Sequence, residues 1–348
     1  MLPEILLGII LLWDGYFFLR YLLSLFIPYK TRRHLPLVTV LIPAYNEERT
    51  IVETIKSVLS QDYPNFEVIV IDDGSEDSTF EKANLVSHPN LRVFKKKHEG
   101  KARALNFGLS KARGEIIVTT DADTVLAPNA LRGLIERVYS KEIVGVGGQV
   151  RVLGGSFLER AQDVEHLRIA MFRRAKELED LSVAPGPISA FKKEALEKIG
   201  GFVDSEVEDY ATTKEIKKLG KVVYAPKAKA YTKMPKTLKV LWKQRKRWFI
   251  GDLKHLGGGF EKDLGFLLLG DFIAFLDILI PVVLLLTKNW SLLTLFIGFE
   301  VLTSLVPTVV EGGTVVNALL FPVFLWYWAV FYLSLHVYGY FSKLCHKI

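Results

Sequence analysis

Two apolar stretches bracket this 348-residue chain and limit what it can fold into. Residues 3–27 are apolar apart from Glu4, Asp14 and Arg20. Residues 264–341 are almost continuously apolar, interrupted at Lys288-Asn289 and again at Glu311-Gly312-Gly313. A helix crosses a bilayer core with about 20 apolar residues, and in lipid its backbone must satisfy its own hydrogen bonds. These lengths predict one spanning helix before the polar middle of the chain and three after it.

The first stretch reads as a retained anchor, because it lacks a basic start and a small-residue cleavage site and is too long for an ordinary signal core. Lys30, Arg32 and Arg33 follow it, and Lys236, Lys239, Lys243, Arg245, Lys246 and Arg247 precede the second stretch. Basic flanks on both sides predict a multi-pass cell-membrane protein whose polar region is cytoplasmic. The expected organisation is a spanning helix in 1–30, a cytoplasmic domain in 31–236, an amphipathic interface helix in 237–260 and spanning helices in 261–348. Phe157 to Leu181, where apolar residues alternate with arginines, reads as a further helix along the membrane surface. Asp271 and Asp277 inside the second span are costly in lipid, with Arg20 as a candidate ion-pair partner.

The net charge of +7 gathers at these membrane flanks. Membrane lipid or a diphosphate is therefore the expected anionic partner, and no nucleic acid is expected. A single cysteine, Cys345, leaves no intramolecular disulfide and no cysteine-built metal site.

Within the polar region, short apolar runs alternate with helical patterns. Val38 to Ile42 precedes Glu47 to Ser60, Glu67 to Ile71 precedes Glu76 to Val86, Leu91 to Phe94 precedes Lys101 to Ala112, and Glu115 to Thr120 follows. Such alternation predicts an α/β domain with a mostly parallel, Rossmann-like sheet that binds ligands beyond the carboxyl ends of its strands. Polar turns fall at those ends: Pro43-Ala44-Tyr45-Asn46-Glu47, Asp72-Asp73-Gly74-Ser75 and Asp121-Ala122-Asp123. No Gly-x-Gly-x-x-Gly or Gly-Lys-Ser/Thr loop follows the first strand, so strand-end side chains and a metal would have to hold a nucleotide. Lys101, Arg103 and Asn106 could add contacts, or could line a solvated helix face.

Asp121 and Asp123, two residues apart on an extended segment, point the same way and offer hard oxygen ligands to Mg²⁺ or Mn²⁺. Acidic pairs also occur in solvated turns. Glu208-Asp209 fits a proton-accepting site or an ordinary acidic helix start. Gln244-Arg245-Lys246-Arg247-Trp248 fits a phosphate-binding motif or an interfacial basic and aromatic belt.

In chain order, Pro43 to Glu47, Asp72 to Ser75, Lys101 to Asn106, Asp121 to Asp123, Glu208-Asp209 and Gln244-x-x-Arg247-Trp248 resemble glycosyltransferase family 2 with the GT-A fold. The last motif resembles its cellulose-synthase-like and hyaluronan-synthase-like membrane branch, and the likeness covers about residues 37–252. The resemblance implies that Asp73 holds the nucleoside, with Pro43, Tyr45 and Glu47 beside it. It implies that Asp123 is the main ligand of Mn²⁺ or Mg²⁺ and that Asp121 lies nearer the ribose and diphosphate. Asp209 becomes the general base next to Glu208, and Val207 departs from the usual Thr before that pair. Arg247 is implied on the diphosphate, Gln244 and Trp248 toward the acceptor, and Gly186 of Pro185-Gly186-Pro187 where the acceptor enters.

The activity implied is metal-dependent, inverting transfer of one sugar from a nucleotide sugar, GDP-mannose first, to a polyprenyl-linked glycan or lipid. A processive polysaccharide synthase using a UDP-sugar is the rival, for which four spans are few unless the chain oligomerises. A transporter or sensor with a nucleotide-binding domain would explain the intramembrane acids but not the motifs together.

Overall fold

The structure, a computed structural model, describes residues 2–26, 35–138, 140–176, 181, 183–255 and 260–344. Lys30, Arg32, Arg33 and Cys345 lie outside them. Along the chain, α1 (Leu2–Leu25) is followed by β1 (Val38–Ala44), α2 (Ile51–Leu59), β2 (Phe66–Asp72), α3 (Thr79–Asn84), β3 (Leu91–Lys95), α4 (Lys101–Lys111) and β4 (Ile116–Thr119). Next come β5 (Thr124–Leu126), α5 (Ala130–Glu136), β6 (Ile143–Leu153), α6 (Phe157–Ala175), β7 (Ser189–Lys192), α7 (Lys193–Lys198), α8 (Glu208–Ile216) and β8 (Lys221–Lys233). The chain ends in α9 (Leu238–His255), α10 (Phe260–Leu286), α11 (Trp290–Val310), α12 (Val315–Leu319) and α13 (Phe321–Leu344).

Two compact units result: residues 27–153 with 176–233, and residues 1–26 with 154–175 and 234–348. The first is an α/β unit whose sheet runs β3-β2-β1-β4-β7-β6-β8-β5. Strands β1 and β2 are Val- and Ile-rich and buried throughout, as central parallel strands covered on both faces must be. Ile51, Ile55 and Val58 recur at helical spacing and give α2 the buried face that packs on the sheet. Strands β3, β2, β1 and β4 are parallel; beyond β4 the sheet is mixed, with β7 antiparallel to both β4 and β6. Strand order reverses between β1 and β4, and in open α/β sheets that reversal opens the ligand crevice.

Register aligns the carboxyl ends. Ala44 pairs with Asp72 and Leu41 with Thr119, so the three polar turns emerge along one edge. Gly74 makes the second turn possible: its φ is 75°, and a Cβ there would come within 2.6 Å of the His98 backbone nitrogen.

The second unit is helical. Its core includes Leu7, Ile10, Leu276, Ile280, Phe296, Phe324 and Trp328. By length and composition, three helices among the described residues can cross a membrane: Pro3–Leu25, Leu268–Leu286 and Trp290–Val310. Four were expected. The remaining apolar stretch forms α13, where tyrosines, tryptophans and His336 interrupt the aliphatic run.

Helix α6 forms as expected from its periodicity, but its environment differs from that of a surface helix. It packs along α1, with the Phe172 ring 5.1 Å from Phe17 and the Ala175 carbonyl accepting from Arg20 Nε at 3.1 Å. It buries Gln162 and His166 together with Ala161 and Val164, so both polar and apolar sides are covered. The expected partners of the intramembrane acids also change. Asp271 is bonded by His336 and by Tyr340 at 2.9 Å, while Arg20 bonds the Tyr16 hydroxyl as well as Ala175.

Candidate active site

At the carboxyl edge of β1 and β4, a pocket is lined by Pro43, Lys101, Asp121, Gly186, Glu208 and Asp209, among others. Asp121 and Asp123 leave the end of β4. Asp123 accepts from the Thr124 and Thr232 hydroxyls at 3.3 Å each, which aims its carboxylate from two strands. Thr54 on α2 donates to the Ala122 carbonyl at 2.9 Å and fixes the residue between the two acids. Burial, then the neighbouring Asp121 and Glu47 charges, push the Asp123 carboxyl up to about 6. A carboxyl raised in this way lies among negative charges that a cation would offset, and hard oxygen donors of this kind fit Mn²⁺ or Mg²⁺.

Lys101, the first residue of α4, places its ammonium 2.6 Å from Asp121 and 2.6 Å from Glu208. Burial works against that charge, but Asp121, Glu208 and Asp209 outweigh it and raise the Lys101 pKa above its ordinary value. Glu208 is raised as well, by burial first and by Asp209, against the pull of Lys101.

Asp209 opens α8. One carboxylate oxygen accepts from the Tyr210 N–H at 2.8 Å and the other from the Gly186 N–H at 3.2 Å. A Cβ on Gly186 would lie 3.1 Å from Lys101 Nζ, 3.6 Å from Asp121 and 3.7 Å from Asp209. The missing side chain is thus what lets the 184–188 turn come up against all three.

Asp73 is buried and already fully employed. It accepts from the Glu99 N–H at 3.1 Å, the Gly100 N–H at 2.8 Å and the Lys96 ammonium at 2.8 Å, with His98 Nδ1 at 2.9 Å. These contacts draw the 96–100 loop onto the second strand end and set the start of α4, and with it Lys101. His98 in turn stacks on Tyr45, ring centroids 4.1 Å apart, leaving Tyr45 exposed as an aromatic face. Glu47 is anchored by the Thr79 hydroxyl, which accepts from its N–H at 2.7 Å, and by Thr50, which donates to its carboxylate at 2.6 Å.

Asn106, expected beside the nucleotide, is engaged with the 200–204 loop. Its side-chain amide donates to the Phe202 carbonyl at 2.8 Å and accepts from the Phe202 N–H at 2.7 Å, so it holds the 200–204 loop. Arg103 faces outward to Asp204 at 3.0 Å, as a solvated helix face would have it.

Gln244, Arg247 and Trp248 lie in the helical unit on α9, where spacings of three and four put them on one helix face. Arg247 is exposed. Between them, Arg245 is almost fully buried, donates to Gln244 at 3.0 Å, lies 4.1 Å over the Trp248 ring and pairs with Glu165 of α6 at 2.8 Å. That shaping residue was not singled out from the sequence, where it looks like one more membrane-flank cation.

The fold and site define a GT-A type domain. Residues 39–200 match glycosyl transferase family 2, so the chain carries a domain of that family. It is 34% identical over 226 residues to the poly-beta-1,6-N-acetyl-D-glucosamine synthase of Staphylococcus epidermidis, covering 62% of this chain and 54% of that protein. The corresponding synthase of Staphylococcus aureus is 32% identical over 222 residues, with the same coverage. The chain therefore spans about half the length of these curated relatives. Among solved structures it resembles the mannosyltransferase PcManGT from Pyrobaculum calidifontis, in complex with GDP-Man and Mn²⁺, at a TM-score of 0.65 and 23% identity over 100% of both chains.

Proposed function

We propose that this chain is a metal-dependent, inverting glycosyltransferase that moves one sugar from a nucleotide donor, GDP-mannose first, to a polyprenyl-linked acceptor at the cytoplasmic membrane face. The observation that carries this reading is the meeting of three groups in one pocket: Asp121 of the Asp121 and Asp123 pair, the Lys101 ammonium, and Asp209 oriented by the Gly186 N–H.

Asp123, assisted by Asp121, would hold Mn²⁺ or Mg²⁺, and the bound cation would supply charge neutralisation for the departing nucleoside diphosphate. Lys101 brings a fixed positive charge to the same region. Tyr45 offers its exposed ring to the base, and Asp73 keeps the 96–100 loop in place beneath it. Asp209 takes the proton of the acceptor hydroxyl as that oxygen bonds to the anomeric carbon. The bond from that carbon to the diphosphate breaks, its electron pair leaving on the diphosphate oxygen. One displacement inverts the anomeric centre. Arg247, Gln244 and Trp248 supply a guanidinium suited to a diphosphate and an aromatic, hydrogen-bonding face suited to a sugar.

Mannosyl transfer is favoured by likeness over the whole chain to a structure with GDP-Man, helical part included. A processive synthase using a UDP-sugar is the second reading, favoured by the identity shared with the polymer synthases. Mass spectrometry and NMR of the product from a purified reaction separate them. One added β-linked residue supports the proposal, whereas a polymer ladder or a retained α-linkage overturns it.

A further inference from the structure

Three carboxylates meet inside the helical unit, away from any role in the reaction above. Asp14 of α1, Asp277 of α10 and Glu300 of α11 each stand near the middle of a candidate span, and one oxygen from each lies within 4.8 Å of the others. They are 7%, 6% and 0% exposed. Arg168 of α6 approaches Asp14 at 3.6 Å and Glu300 at 3.9 Å, too far for hydrogen bonds.

Both carboxylate oxygens of Glu300, and Oδ1 of Asp277, are buried without a hydrogen-bond partner. So is the hydroxyl of Ser304, one turn from Glu300 on the same face of α11. Native interiors pair nearly all such atoms, and a group of orphaned oxygens converging on one point is the arrangement that a ligand completes. Charge states which ligand. Three ionised carboxylates against one guanidinium leave two negative charges uncompensated in a site closed to water, a large desolvation cost. The donors are all hard oxygens, and their spacing admits an ion with metal–oxygen distances of about 2.0–2.6 Å.

We propose that Asp14, Asp277 and Glu300 form a binding site for one hard divalent cation, which ties α1, α10 and α11 together and is distinct from the cation of the sugar-transfer site. Ser304, one turn along α11 from Glu300, offers a further hard oxygen on the same helix face. The proposal does not depend on the sugar-transfer reading.

The test is the number of Mn²⁺ ions bound per chain by the full-length, detergent-purified, chelator-stripped protein, read from free Mn²⁺ by electron paramagnetic resonance. Wild type should bind two, Asp123→Ala one, and Asp123→Ala with Glu300→Gln none. Because Asp123→Ala leaves the helices untouched, it decides the matter even if the Glu300 change impairs folding. If Asp123→Ala binds none, or if wild type binds a single ion that Glu300→Gln leaves in place, the cluster carries protons and the proposal fails.

Discussion

Lys101 and Asp121 form an ion pair of 2.6 Å at the mouth of the candidate active site, and the same ammonium reaches Glu208 at an equal distance. Lysine thus holds a place among carboxylates that a cation and a diphosphate would share. Removing it should help the metal and harm the donor. Lys101→Ala should bind Mn²⁺ several-fold more tightly in the absence of nucleotide, measured by calorimetry. It should lose about 10–100-fold in kcat/KM, as expected for about 1.5–3 kcal/mol from a hydrogen bond to a charged group.

Asp123 gives the apo protein a pH signature. A carboxyl raised from 3.8 to about 6 binds its proton more tightly folded than unfolded. Its ionisation therefore disfavours the fold, with no penalty below about pH 4 and the full penalty above about pH 6. Metal-free Asp123→Asn should match wild type in Tm at pH 4 and exceed it at pH 7. Mn²⁺ affinity of wild type should rise through pH 6 and then level off.

Gly186 faces Lys101, Asp121 and Asp209 with no side chain of its own. In Gly186→Ala the new methyl meets the far ends of polar side chains, so stability should change by less than about 1 kcal/mol. Turnover should fall by about 10-fold or more, because small displacements of reacting groups are costly. Tm and kcat measured together separate the two effects.

Asn106 should act on the fold. Asn106→Ala strips both partners from the Phe202 backbone, at a cost of about 1–3 kcal/mol in urea unfolding. Donor affinity per folded molecule should change little, whereas a direct nucleotide ligand would show the reverse.

Much of the α/β unit was legible in the chain. Strands expected at 38–42, 67–71, 91–94 and 115–120 appear at Val38–Ala44, Phe66–Asp72, Leu91–Lys95 and Ile116–Thr119. Strands β1, β2 and β4 are buried throughout, so their apolar runs are continuous and their polar turns abrupt, whereas β3 is only part-buried. The mixed half of the sheet was harder, since β6 and β8 mix glycines or lysines with apolar residues. Asn106 and Arg245 show where residue type alone misleads. One looks like a ligand and holds a loop; the other looks like a surface cation and is buried under Trp248. Their roles depend on partners about 80–100 residues away, Phe202 and Glu165, which no local pattern announces.

The measurement that bears most directly on this account is release of nucleoside diphosphate from a panel of nucleotide sugars by detergent-purified protein with Mn²⁺ and polyprenyl-linked acceptor. Wild type should turn over one donor, GDP-mannose, with activity lost in Asp123→Ala and in Asp209→Asn. Undiminished turnover in the Asp209→Asn or Asp123→Ala variant, or none of any nucleotide sugar by wild type, would contradict it.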